Sequence, residues 1–483
     1  MQSEINNTNL PKSMRYGLTS ATAVAASKQM ARFDSVNGTS YSPSSANEVR
    51  IRIKANGFAD VKHHYVQFTI TGAGNNASVD THAGSFIDRM TIESGGSIVE
   101  QINSYGLYNS IRCNYNRSMD EIVKDDAGAG GSKLSALQAV GAFGNVAGAD
   151  VAALLASVNT QKDAFIAATN NLTLGTGMGS LAMPLDVADA KIFCIQLESG
   201  LLKNHHEKAL PDGLNEIELV LRLAGNKQAV VASNGSNPTW TMSEVSFNCP
   251  VYQIQDAGIM AEYRAAVADE GVLISGDTAK TYINSVVAGT GIKTLQINDR
   301  SLSCKALVTA IRDTAQDTTC EFYSNGAYGY SFAANTTQLE SFKYIIGGVN
   351  YPQQDIKISL ATTTLNLGRA HDETCKALAK HGDKYCNGMV TKQMLTGDIN
   401  AAYAAPPATN SLLVPRGLVS IDLKKFSDDG LRMVGLNTSQ NSSPNVLELN
   451  ITTTFGVTAD CTTFSICEAF YSMDALGGLS VVQ

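Results

Sequence analysis

The chain has 483 residues, room for two or three domains that each bury a core, and 36 Lys and Arg stand against 44 Asp and Glu for a formal net charge of -8. That balance argues against a general nucleic-acid binder. No apolar run approaches the roughly 18 residues of a membrane helix, no signal peptide opens the chain, and nine cysteines scattered singly predict reduced thiols of a protein folded in a cytoplasm.

Residues 1–46 read as a separate N-terminal arm. Up to Arg32 it carries Lys12, Arg15, Lys28 and Arg32 against Glu4 alone, so it is basic in an acidic protein. Within it, TSATAVAASKQMARF predicts a moderately amphipathic helix, and the turn-rich NGTSYSPSSAN separates that helix from the first clear strand. That strand, EVRIRIKAN, alternates Val49, Ile51 and Ile53 with Arg50, Arg52 and Lys54, the period of a half-buried antiparallel strand. VKHHYVQFTITG, SFIDRMTIES and GSIVEQI follow as strands and SYGLYNSIRCNYN as a helix. An Ala/Gly-rich insertion at about 118–188 holds the helical stretches KLSALQAVGAF and ADVAALLASVNTQKDAFIAAT. Strands resume at KIFCIQLES, NEIELVLRLAG and TWTMSEVSFNCPVYQI, which closes a first β unit over 47–255.

DAGIMAEYRAAVADEG predicts a linker helix at 256–272, and the pattern then repeats over 273–483. TYINSVVAG and KTLQINDRSLSCKALVTAIRD open the second unit. SFKYIIGGVNYP stands where SFIDRMTIES stood, NVLELNITTTFG echoes NEIELVLRLAG, and TFSICEAFYSM answers TWTMSEVSFNCPVY. The offset is close to half the chain, which indicates duplication of one unit of about eight short strands, the count of a jelly roll. A second insertion is placed at about 359–407.

Within that insertion HDETCKALAKHGDKYC raises the question of a metal. The spacing H-x3-C-x5-H-x4-C has neither the tight cysteine pair nor the histidine pair of structural zinc sites. In a continuous helix His371 and Cys375 share a face, His381 lies about 120° round from Cys375, and Cys386 lies roughly 16 Å along the axis. His371, Cys375, His381 and Cys386 are therefore weak metal candidates, and the expectation is no metal unless Gly382 ends the helix and the chain doubles back. VAGTGIKT fails as a phosphate loop because Ile292 separates Gly291 from Lys293 and a strand follows. His63 and His64 are strand neighbours that face opposite ways, and His205-His206 reads as a surface loop or subunit contact. No nucleophile stands with a base, no G-x-S-x-G or H-E-x-x-H occurs, and Trp240 reads as a core or interface anchor. No catalytic residue and no cofactor is expected.

The order of these elements resembles the double jelly-roll major capsid proteins of tailless icosahedral viruses, the lineage of adenovirus, membrane-containing tailless phages, virophages and polinton-like viruses. NGTSYSPSSANEVRIRI is similar to that family's arm entering its first strand, and GSFIDRMTIESGGSIVEQINSYGLYNSI to the strands and helix that follow. LESGLLKNHHEKALPDGLNEIELVLRLA resembles its loop-Leu-Pro-strand passage, and DAGIMAEYRAAVADEG stands at its linker. SFKYIIGGVNYPQQDI and GLNTSQNSSPNVLELNI resemble the matching parts of its second roll. The resemblance implies an all-β-dominated fold of two tandem eight-stranded jelly rolls with helical insertions and an N-terminal arm. It implies a structural subunit of a virion capsid, forming homotrimeric pseudo-hexameric capsomers that meet neighbouring capsomers, penton and minor capsid proteins. The basic arm would then face inward, toward an internal membrane or the packaged genome. The alternative is another multi-domain β-sandwich protein, a surface or receptor-binding protein or a sugar-active enzyme. Missing export signals and missing paired acids count against it.

Overall fold

The computed structural model describes residues 25–73, 77–79, 82–118, 184–185, 190–231, 239–314, 339–361, 364–365, 368–380, 383–388, 417–425, 433–441, 443–455 and 458–483. The first half supplies β1 (Ala26–Asp34), β2 (Glu48–Ile53), β3 (Tyr65–Ala73), β4 (Ile87–Ser94), β5 (Ser97–Asn103), β6 (Ala190–Ile195), β7 (Ile217–Leu223) and β8 (Thr239–Ile254). The second supplies β9 (Val272–Val286), β10 (Gly289–Ile297), β11 (Cys304–Asp313), β12 (Leu339–Ile346), β13 (Val349–Lys357), β14 (Val419–Asp422), β15 (Asn445–Phe455) and β16 (Ala459–Met473). Helix α1 (Tyr105–Asn116) follows β5, α2 (Ala257–Glu270) joins the halves, and α3 (Gly368–Ala377) follows β13.

The first half pairs its strands as β1-β8-β3-β6 and β2-β7-β4-β5, the second as β9-β16-β11-β14 and β10-β15-β12-β13. Adding eight to every label of the first half gives the second. Each half is a pair of facing antiparallel sheets between which the chain repeatedly crosses, a jelly roll. The period-two reading of the strands holds at the side chains. Ile217, Leu219 and Leu221 on β7 are buried, as are Leu447, Leu449 and Ile451 at the matching places of β15. Glu218, facing the other way, takes a 2.9 Å ion pair from Arg50, and Glu448 takes one of 2.9 Å from Lys343.

The two rolls also share a turn. Gly95 and Gly96 join β4 to β5 with φ of 58° and 81°, and Gly347 and Gly348 join β12 to β13 with 59° and 81°. Two successive left-handed residues are what a type I′ hairpin demands, and glycine adopts them without a Cβ penalty. Between the rolls, Asp256 caps α2 by accepting from the Gly258 and Ile259 amides, and Gly271 ends the helix at a φ of 71°.

The expectation for the N-terminal segment is corrected. The helix expected over TSATAVAASKQMARF is β1 along its described part, laid antiparallel on β8 from Ala26↔Ile254 to Asp34↔Ser246. Alanine-rich helix propensity is a weak prior, and nine ladder positions along an open edge of a long strand outweigh it. Ala31 and Phe33 turn toward the core, and the Phe33 ring lies 6.4 Å from that of Phe247. Residues 26–34 therefore belong to the first roll and not to a separate arm, and β1 is its missing eighth strand. KTLQINDRSLSCKALVTAIRD, at the opening of the second unit, holds both β10 and β11, which lie in opposite sheets. The helical stretches expected within 118–188 fall outside the described residues. That insertion and the second one occupy matching places, between β5 and β6 and between β13 and β14.

Candidate functional site

The rolls meet along a buried seam. The β9-β16-β11-β14 sheet is covered on both faces: Leu307, Ile311, Cys461 and Cys467 point into the second roll's own core, whereas Val308, Phe464, Ile466 and Tyr471 join the core of the first. Near-continuous burial of β16 follows, the pattern of a strand with no solvent face. From the first roll, α1 brings Tyr108 to 5.4 Å from the Phe464 ring, and Arg112 donates to the Leu378 carbonyl at 3.3 Å.

Backbones touch at the centre of the seam. A Cβ on Gly276 would lie 1.9 Å from the Gly200 carbonyl oxygen, and one on Gly200 would lie 2.5 Å from the Tyr471 hydroxyl. Beside this crossing sits Glu100 of β5, only 1% exposed. Its carboxylate accepts from the Ser199 hydroxyl at 2.5 Å and the Gly200 amide at 2.8 Å. Burial pushes that carboxyl up, and these bonds pull it back in part.

A charged cluster continues the seam. Lys305 of β11 reaches Asp277 of β9 at 3.0 Å, and His205 of the first roll reaches the same carboxylate at 2.9 Å. Burial alone would raise Asp277, but Lys305 and His205 hold it far below the usual carboxylate range. Glu468 of β16, 4.0 Å from His205, accepts from the Val434 amide at 3.1 Å, and burial raises its carboxyl. The cluster is enclosed between the rolls: Lys305 and His205 share the Asp277 carboxylate, and Glu468 accepts from the Val434 amide and the Ser303 hydroxyl. What it does is register one roll on the other.

Apart from His205, none of these residues stands out by a motif. Their signal was a lone charge inside an apolar run: Glu100 in SIVEQI, Lys305 in CKALV, Glu468 in SICEAF. His205 is corrected from a surface or subunit contact to this intrachain seam, with its side chain 3% exposed, while His206 stays exposed. His63 and His64 lie not in a strand but on a short 3-10 turn (Val61–His63) and its cap, and they still differ in burial. His63 is exposed beside Asp60, and His64 is buried, accepting the Leu197 amide at 3.0 Å. Burial lowers the His64 imidazole to about 4. VAGTGIKT turns the chain from β9 into β10, which lie in opposite sheets, with Gly289 and Gly291 at left-handed φ. Trp240 is a core anchor, its ring 4.8 Å from Phe86 and edge-on to it.

Of the weak metal candidates, His381 falls outside the described residues. The expected dispersal of the others is corrected. Helix α3 ends at Ala377 and the chain doubles back, so that the Cys386 amide donates to the Cys375 carbonyl at 3.1 Å. His371 Nε2 lies 3.5 Å from Cys375 Sγ. Among the described residues a different trio, Asp299, Cys304 and Cys467, has ligand atoms within 4.8 Å of one another. Asp299 there accepts from Ser301, Tyr282 and Thr438 at 2.6, 3.2 and 2.9 Å, so its oxygens are satisfied by hydroxyls. Of the basic-arm residues, Lys12 and Arg15 fall outside the described residues. Lys28 lies over the Tyr252 ring at 5.5 Å and Arg32 pairs with Asp34 at 2.7 Å, both on β1.

No protein-family model matches the sequence, and no curated protein matches it. Solved structures do. The chain is similar to the Faustovirus major capsid protein at 7% identity and a TM-score of 0.56, over 95% of this chain and 93% of that one. It is similar to PBCV-1 VP54, fitted into a reconstruction of the virophage Sputnik, at 12% identity and a TM-score of 0.53, over 97% and 99%. The mavirus major capsid protein is similar at 9% identity and a TM-score of 0.50, over 100% and 95%. At such identities the likeness establishes the fold, a double jelly roll running the length of the chain.

Proposed function

We propose that the chain is the major capsid subunit of an icosahedral virion, and that three copies form a pseudo-hexagonal tile. The observation that carries this is the internal duplication: two rolls of identical strand order, joined by a buried seam, in a fold shared end to end with capsid proteins. A monomer with two equivalent rolls gives a trimer six similar corners, which is the symmetry a hexagonal lattice needs. Function is then geometric and not catalytic. Neighbouring capsomers, with penton and minor capsid proteins at special positions, are the partners.

Both insertions sit at matching places in the strand order, between β5 and β6 and between β13 and β14, the position proposed for the outward projections of the tile. The inward role proposed for the basic arm, toward lipid headgroups or genome, then falls to Lys12 and Arg15, which lie outside the described residues, because Lys28 and Arg32 lie on β1. Lys28 and Arg32 instead guard an edge strand, where charge discourages unwanted pairing.

Light scattering on the purified chain at micromolar concentration is expected to give a trimer, and electron microscopy of co-expressed particles to place it in the shell. A stable monomer or dimer, or particles that lack it, overturns the reading. Removing residues 2–25 is expected to leave trimers intact and impair particle assembly or lipid retention. Particles that form normally without that segment remove its inward role.

A further inference from the structure

The doubled-back segment after α3 brings two thiols together without bringing a complete ligand set. The Cys386 amide donates to the Cys375 carbonyl at 3.1 Å, which sets the two thiols side by side. Both side chains are half-buried, open enough for a small reagent. The segment is pinned beyond Cys386: a Cβ on Gly388 would lie 2.3 Å from the Tyr115 Cα, so the backbone at Gly388 lies directly against the end of α1. The other close pair, Cys304 and Cys467, is completely buried, with Ser465 between the sulfurs at 3.2 Å from each.

We infer that Cys375 and Cys386 are a redox-active dithiol, a modification site that closes to an intrachain disulfide on reaction with a low-molecular-weight disulfide such as oxidised glutathione. The contact to Cys375 lowers the Cys386 thiol although burial opposes it, and the same contact raises Cys375. Cys386 is taken as the attacking thiol, because Arg112 of α1 lies on its side, and Cys375 as the resolving thiol. Cys386 Sγ attacks one glutathione sulfur, the glutathione S–S bond breaks, and one glutathione leaves as thiolate. Cys375, losing its proton, then attacks Cys386 Sγ and expels the second glutathione. One S–S bond is made and one broken; the two cysteines are oxidised and glutathione disulfide is reduced to two thiols. Arg112 of α1 lies on the side of Cys386 and favours its thiolate, while His371 and Asp372 face Cys375. The closed bond fastens to α3 the segment that seats on α1, and so ties the second roll's insertion to the first roll.

This inference does not depend on the capsid reading, and the purified full chain tests it. Incubation with oxidised glutathione is expected to lower the intact mass by two hydrogens and to remove two alkylatable thiols. Peptide mapping is expected to join Cys375 to Cys386. In Cys375→Ser, Cys386 is expected to retain a bound glutathione; in Cys386→Ser no intrachain bond forms. Mapping on the wild-type chain decides the matter even if a variant folds poorly. Persisting alkylation of both cysteines, pairing with other partners, or a bound zinc that must be chelated before either thiol reacts would each overturn the proposal.

Discussion

The first and second rolls follow one strand order and differ in what presses on them. Helix α1, after β5, and α3, after β13, stand at the same point of the two rolls. Yet α1 buries eleven of its twelve residues, whereas α3 buries Ala370, Thr374 and Ala377 and keeps a polar face. The reason is position. The outer face of the second roll's β9-β16-β11-β14 sheet lies against α1, while α3 packs on β14, β11 and β13 of its own roll. The outer strands differ as well. β9 runs fifteen registered pairs along β16 without a shift, whereas β1 has nine along β8. Duplication copied the topology. Environment then made the copies unequal.

The largest expected effects ask whether the unequal copies melt together. Phe86 fills the first core and Phe342 the second, both essentially unexposed. Phe86→Ala and Phe342→Ala are each expected to cost about 3–5 kcal/mol. Since one apolar cluster runs across both rolls, each is expected to lower a single calorimetric transition. Two separate transitions, each moved by one variant only, would break the comparison into independent domains.

Lys305→Met tests the seam itself. It leaves Asp277 and Glu468 buried without their main cation, and a loss of about 3 kcal/mol is expected by denaturant titration. A change below about 1 kcal/mol would mean that the charges contribute little to joining the rolls.

Acid should separate the rolls next. His64 sits near 4 when folded against 6.5 for the free imidazole, so its contribution is complete above pH 6.5 and lost as pH falls toward 4. The expected loss is about 2 kcal/mol at pH 5. Burial also lowers His82, again in the first roll. Glu100 and Glu468, raised by burial, act in the opposite sense, favouring the fold as they protonate. Hydrogen exchange at pH 5 is expected to rise first in peptides around 61–70 and 82–90, ahead of 339–358. Equal exchange, or no change in His64→Gln relative to wild type, would remove this asymmetry.

The smallest effect is the control. Lys62 and Glu207 form an ion pair at the surface, with side chains 47% and 60% exposed, so Lys62→Ala is expected to change stability by less than about 0.5 kcal/mol. A loss comparable with that of Lys305→Met would show that enclosure does not govern these pairs.

Sequence alone determined much of this protein. Alternation in EVRIRI and NEIELVLRL, the paired Gly-Gly turns and the Asp256-to-Gly271 helix are local patterns, and local patterns carry their own physical reason: period two, left-handed φ, a capped helix. Repetition of those patterns at half-chain offset was enough for two tandem rolls. Tertiary structure decided the rest. Whether SKQMARF is helix or strand depended on the free edge of β8, more than 200 residues away. Whether Cys386 meets Cys375 depended on where α3 stops. The seam joins Glu100, His205, Asp277, Lys305 and Glu468 from both halves, and no local window contains their partners. A charge within an apolar strand is intelligible only when the opposite roll supplies what balances it.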